Sequence, residues 1–193
     1  MSYGPSTAFL VVDVQNDFAD PAGNLYVRGG EEVVPVINAE THRAAAAGGL
    51  VVYTQDWHPP TTPHFEKDGG IWPVLCVQDS WGAQLHPELR VLGERVRKGA
   101  GGEDGYSGFS VRHPETGRTD STNLEDLLRA RGIETVVIAG LATDYCVKET
   151  ALDAARKGFT TIVVNDGVRA VDLEPGDGDR ALARMRQAGV QIL

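Results

Sequence analysis

The chain has 193 residues, 41% of them hydrophobic, and a net charge of −9 with no basic run to offset it. That is enough chain for one full core over residues 1–193, and too much negative charge for loose binding to nucleic acid or to an anionic membrane. Its two cysteines, Cys76 and Cys146, exclude a disulfide framework and point to a reducing, cytoplasmic setting; no apolar run reaches the roughly 20 residues of a membrane span, and the N-terminus lacks a signal-peptide pattern.

Residues 8–12, Ala-Phe-Leu-Val-Val, form an unbroken apolar run suited to a strand buried on both faces, ending at Asp13. A loop over residues 20–30 leads to a predicted helix over 31–47, where Val33, Val34, Ile37 and Ala44 repeat at helical spacing and Gly48-Gly49 form the stop. Residues 50–54 read as a second buried strand. The stretch 55–86 has no clear period; a loop of that length in a compact domain is usually functional, and its aromatic content favours an ordered one. Residues 95–98 read as a weak third strand, and glycine punctuation follows from 99 to 108. A predicted helix over 121–131 leads to a β-branched strand over 135–138. Small residues then open a helix that Thr143 or Asp144 caps and Gly158 stops. A strand over 160–164, a helix over 177–188 and a short strand over 190–192 complete the alternation, which predicts a doubly wound parallel sheet covered on both faces. The acidic stretch 172–179 reads as a solvated loop with a helix start.

Parallel topology lines up the C-terminal strand ends along one edge, where Asp13, Asp56, Lys98 and Cys146 are expected to converge. Cys146 falls in the predicted first helical turn, where unpaired N–H groups favour a thiolate. It reads either as a nucleophile or as an inert buried thiol. Asp13 is either a proton carrier whose pKa is raised by burial or a loop cap; Lys98 is either a site ammonium or a surface lysine. Together the three make an acyl-transfer set, in which sulfur attacks a carbonyl, the acid carries the proton and the ammonium holds both in place. Asp56, His58 and His64 offer a carboxylate and two imidazoles for zinc, iron or manganese, unless the histidines only bond the loop backbone. Phe18, Trp57, Trp72, Tyr106 and Tyr145 fit a pocket for a flat, uncharged ring. No G-x-G-x-x-G follows the first strand, which argues against a nucleotide site.

The order and spacing of several motifs resemble the nicotinamidase/pyrazinamidase branch of the isochorismatase-like cysteine hydrolases. They are residues 12–18 (Val-Asp-Val-Gln-Asn-Asp-Phe), 54–58 (Thr-Gln-Asp-Trp-His), Trp72-Pro73 with Cys76, Lys98-Gly99, 106–109 (Tyr-Ser-Gly-Phe) and 140–147 (Gly-Leu-Ala-Thr-Asp-Tyr-Cys-Val). The resemblance implies a three-layer α/β/α Rossmann-like fold with a parallel sheet of about six strands. It implies a triad of Asp13, Lys98 and Cys146, an oxyanion hole from the N–H groups of Ala142 and Cys146, and a cis peptide before Ala142. Phe18, Trp72, Tyr106 and Tyr145 would hold a small aromatic amide, nicotinamide or pyrazinamide, which is cleaved to the acid and ammonia as in NAD salvage. Asp56, His58 and His64 would hold a divalent metal, zinc in the first instance, and the protein would be a homo-oligomer. One position departs. Where the pattern has a metal-binding histidine, the chain has Leu75, so the metal is held more weakly by three side chains, is absent, or is completed by another group such as Glu66. Two competing expectations are a cysteine amidase for a different small amide and a silent binder of small aromatic molecules.

Overall fold

Short β-branched runs with no polar face need hydrogen-bonding neighbours on both sides and apolar cover above and below. The computed structural model, which describes residues 2–193, supplies both. The strands are β1 (Thr7–Val12), β2 (Leu50–Asp56), β3 (Glu94–Lys98), β4 (Ser110–Arg112), β5 (Thr119–Ser121), β6 (Thr135–Leu141), β7 (Thr160–Arg169) and β8 (Gln191–Ile192). The helices are α1 (Asn16–Ala19), α2 (Val33–Ala46), α3 (Leu124–Ala130), α4 (Lys148–Arg156) and α5 (Asp177–Gln187).

Six strands form one parallel sheet in the order β3-β2-β1-β6-β7-β8, as expected of a three-layer α/β/α fold. Alternation along β1 feeds the two cores. Phe9 and Val11 pack with Val33, Val34, Ile37 and Ala44 of α2, whereas Ala8, Leu10 and Val12 pack with Leu124 and Leu128 of α3 and with Ala151 and Ala154 of α4. The chain runs outward from β1 through β2 to β3, then restarts on the other side at β6. The crevice past the ends of β1 and β6 is therefore the place where such sheets bind ligands. Gly140 sits there with φ 127, and a side chain on it would strike the main chain of Val12, so only glycine lets the two strand ends lie this close. Among the described residues no helix is long and apolar enough to cross a membrane.

Several element boundaries differ from those expected. The strand placed at 160–164 continues to Arg169, because the sheet resumes after a register shift between Ile138 and Gly140 of β6. The β4–β5 hairpin fills residues 110–121, between the glycine punctuation and the predicted helix, where no element is expected, and the helix begins at Leu124 and not at 121. The hairpin strands are three residues long and largely polar, with Arg112 paired to Asp104 outside the hairpin and Arg118 to Asp120 on the same arm, which leaves no apolar period to read. Residues 143–147 form one π-helical turn ahead of α4, and no side chain caps either element. The Asp144 carboxylate instead accepts the N–H groups of Val171 and Asp172, at 2.9 Å each.

Candidate active site

β1, β3 and the turn after β6 bring Asp13, Lys98 and Cys146 together. Asp13 follows β1 directly and adopts φ 49, a left-handed conformation that aspartate tolerates better than most residues. The Thr54 hydroxyl donates to Asp13 Oδ1 at 2.6 Å and holds that carboxylate. Lys98, the last residue of β3, is 2% exposed, so the surface-lysine alternative is wrong. Its Nζ lies 3.0 Å from Asp13 Oδ2 and 3.7 Å from Cys146 Sγ, and it forms a short ion pair with Asp56 Oδ1. Oxygen or sulfur atoms of Asp13, Asp56 and Cys146 come within 4.8 Å of one another, but the Lys98 ammonium already serves all three, so this cluster is an ion-pair centre and not a vacant metal site. The Leu141–Ala142 peptide is cis, as the resemblance implies.

Electrostatics correct one expectation. Burial pushes the Cys146 thiol well above its usual pKa; Lys98 opposes the shift, while Asp13 and Asp56 add to it. The cysteine therefore rests as a thiol and not as the thiolate expected from a helix terminus. Desolvation and two nearby carboxylates outweigh the terminal N–H groups. Burial likewise raises Asp13 against the pull of Lys98, which suits it to take up a proton. At Asp56 burial also acts upward, but Lys98, His58 and His64 together outweigh it and the carboxyl ends below its ordinary range. For Lys98 itself, burial is overcome by Asp13 and Asp56, so it stays charged.

Beside this centre lie the two histidines. Their rings stack at 4.5 Å, and His58 Nε2 is 4.0 Å from Asp56 Oδ2. His58 is 1% exposed, and neither of its ring nitrogens has a hydrogen-bond partner among the described residues, so it does not bond the loop backbone. Burial, reinforced by the neighbouring His58, lowers the pKa of His64 to about 4, so its imidazole is neutral. Glycine at 99 makes room, since a side-chain carbon there would fall 2.7 Å from the His58 ring. Glu66 is exposed on a short 3-10 turn and does not line the site.

A cavity opens next to Cys146, lined by Phe18, Trp72, Leu75, Tyr106 and Tyr145 together with Asp56 and His64. The Trp72 indole N–H donates to the Tyr106 hydroxyl at 3.1 Å, and both rings meet Tyr145 edge-on. Trp57 is not part of this wall; its ring lies under the Arg97 guanidinium, 3.7 Å away, because it follows Asp56 on the opposite side of the strand end. Ala142 lines the cavity alongside Cys146. Sequence reasoning passed over Thr54 and Gln15. The one available signal was a polar side chain lodged within or beside an apolar strand, which core burial alone does not explain.

The Isochorismatase domain model matches residues 7–193. The nicotinamidase of Escherichia coli (strain K12) is 37% identical, over 97% of this chain and 94% of its own length. A pyrazinamidase of Pyrococcus horikoshii, solved in complex with zinc, superposes with a TM-score of 0.87 at 36% identity, covering 98% of this chain and 99% of that one. PnC1 from L. infantum, solved in complex with nicotinate, gives a TM-score of 0.91 at 35% identity over 100% of this chain and 95% of that one.

Proposed function

The chain belongs to the isochorismatase family, and from that premise we propose that it is a cysteine-dependent amidase converting nicotinamide, and pyrazinamide, to the acid and ammonia. The observation that carries this reading is the buried Lys98 ammonium touching Asp13 and Cys146, with Cys146 itself in the wall of an aromatic cavity.

The chemistry follows from the resting charges. Asp13 takes the thiol proton as Cys146 Sγ attacks the carboxamide carbon, so a C–S bond forms without a free thiolate accumulating. Lys98 offsets the charge that builds on sulfur. The N–H groups of Ala142 and Cys146 are the proposed donors to the oxyanion. Asp13 then returns the proton to nitrogen, the C–N bond breaks and ammonia leaves. Water, deprotonated by Asp13, attacks the thioester; a C–O bond forms, the C–S bond breaks, and acid and thiol are regenerated. Phe18, Trp72, Tyr106 and Tyr145 sandwich the ring and keep water out of the first step.

The donor chemistry of the histidine corner suits a divalent metal, although among the described residues the ligand atoms of Asp56, His58 and His64 do not all lie within 4.8 Å of one another, as those of Asp13, Asp56 and Cys146 do. Two buried, neutral imidazoles and an ionised carboxylate are a suitable donor set, and the unpartnered nitrogens of His58 are otherwise unexplained. Asp56, His58 and His64 would hold the ion, zinc in our reading, and a bound ion would act as a Lewis acid toward a ring nitrogen or a water. Leu75 contributes only aliphatic carbon to the same wall, which supports weaker retention of the metal and favours, as a second reading, a preference for another small amide. We also take residues 1–193 as one hydrolase domain that works in the cytoplasm as a homo-oligomer, a setting consistent with its two free thiols.

Ammonia release from nicotinamide and pyrazinamide by the wild type and by Cys146→Ala tests the proposal. We expect release by the wild type and a loss on the order of 10⁴-fold or more in the variant. No release from any small amide by the wild type would remove the enzyme reading.

A further inference from the structure

Asp56 has two duties, as partner of Lys98 and as one wall of the cavity, yet it is the last residue of its strand, where pairing usually gives out. On one side β3 still accompanies it, with Asp56 in register with Lys98. On the other side the last β1 partner is Val12, opposite Thr54, and the chain turns away at Asp13. A side chain takes over from the missing strand. The Gln15 carboxamide donates from Nε2 to the Asp56 carbonyl at 2.7 Å and accepts the Asp56 N–H on Oε1 at 2.8 Å. Its second N–H goes to the Ala83 carbonyl at 2.9 Å. Gln15 is fully buried, so none of these bonds has water as a ready substitute.

We propose that Gln15 is a positioning residue for Asp56: its amide mimics a neighbouring strand, holds both main-chain polar groups of Asp56, and so sets where the carboxylate points between Lys98 and the histidines. Glutamine is required because only a primary carboxamide presents a donor and an acceptor side by side at this reach. Asparagine is one carbon shorter, and glutamate has no donor when ionised. The inference rests on the amidase reading for its kinetic arm and is independent of it for its spectroscopic arm.

A matched control lies next door. Gln55 is also buried and donates to the same Ala83 carbonyl, at 3.0 Å, but does not bond the main chain of Asp56. Gln15→Met and Gln55→Met are therefore compared with the wild type in kcat and KM for nicotinamide, and in cobalt(II) binding followed by visible absorption. Gln15→Met should lower kcat and weaken cobalt(II) binding by about 10–100-fold each, with KM within about threefold and Gln55→Met within about threefold of wild type throughout. Should Gln15→Met not fold, Gln15→Glu, which keeps the shape but sets an oxygen against the Asp56 carbonyl, is read by the same two measurements. Wild-type values in the Gln15 variant, or an equal loss in Gln55→Met, would overturn the proposal. A wild type that releases no ammonia would sink the amidase reading instead, and the cobalt(II) comparison would still decide the role of Gln15.

Discussion

Around Lys98 every charge has a partner: one ammonium faces Asp13, Asp56 and the Cys146 sulfur, all of them buried. At His58, whose Nε2 is 4.0 Å from Asp56 Oδ2, both ring nitrogens lack a partner among the described residues. The same strand ends build both regions, so the contrast is one of completeness. The Lys98 centre is charge-paired by the chain itself, although Asp13 Oδ2 accepts no hydrogen bond, whereas the histidine corner offers two bare ring nitrogens that an outside group could use.

The most severe way to break the contrast is to unbalance the finished half. Lys98→Met leaves Asp13 and Asp56 buried without their cation and should cost about 3–5 kcal/mol of stability, read by urea unfolding at neutral pH. An unchanged midpoint would mean that the two acids are not held as the geometry has them.

The open half responds to acid. His64 titrates near 6.5 unfolded and at about 4 folded, so the unfolded chain binds the extra proton first. Its contribution to stability is complete above pH 6.5 and is lost as pH falls toward 4, a change of roughly 3 kcal/mol at most. With metal chelated, the melting temperature of the wild type should fall more steeply over that window than that of His64→Asn; parallel curves would contradict a buried neutral imidazole.

The mildest change sharpens the comparison by adding to the open half. Leu75→His introduces a further imidazole in the cavity wall and should tighten zinc binding by about tenfold, measured by competition with a chromogenic chelator. Equal affinities in the two proteins would count against Asp56, His58 and His64 as the metal set.

Much of this was legible from residue order. Unbroken apolar runs such as residues 8–12 and 135–138 have one reading, a strand covered on both faces, and a parallel sheet then brings Asp13, Lys98 and Cys146 to one edge. The β4–β5 hairpin was not legible, because its strands are three residues long, largely polar and without an apolar face. Nor was the protonation state of Cys146. A helix terminus can be read from sequence, but the burial that overrides it arises only when the elements have packed. Trp57 misled for a simpler reason: it adjoins a site residue, yet alternation at the strand end turns it away toward Arg97.

The strand order has one more consequence. Asp13 lies at the end of an interior strand and Cys146 just beyond another, but Lys98 belongs to β3, the border of the sheet, with hydrogen-bonded company on one side alone. Border strands fray before interior ones and exchange their amide hydrogens sooner. Under rising denaturant the ammonium is thus the first of the three to leave, and turnover should fade while the inner strands still give a native circular-dichroism signal.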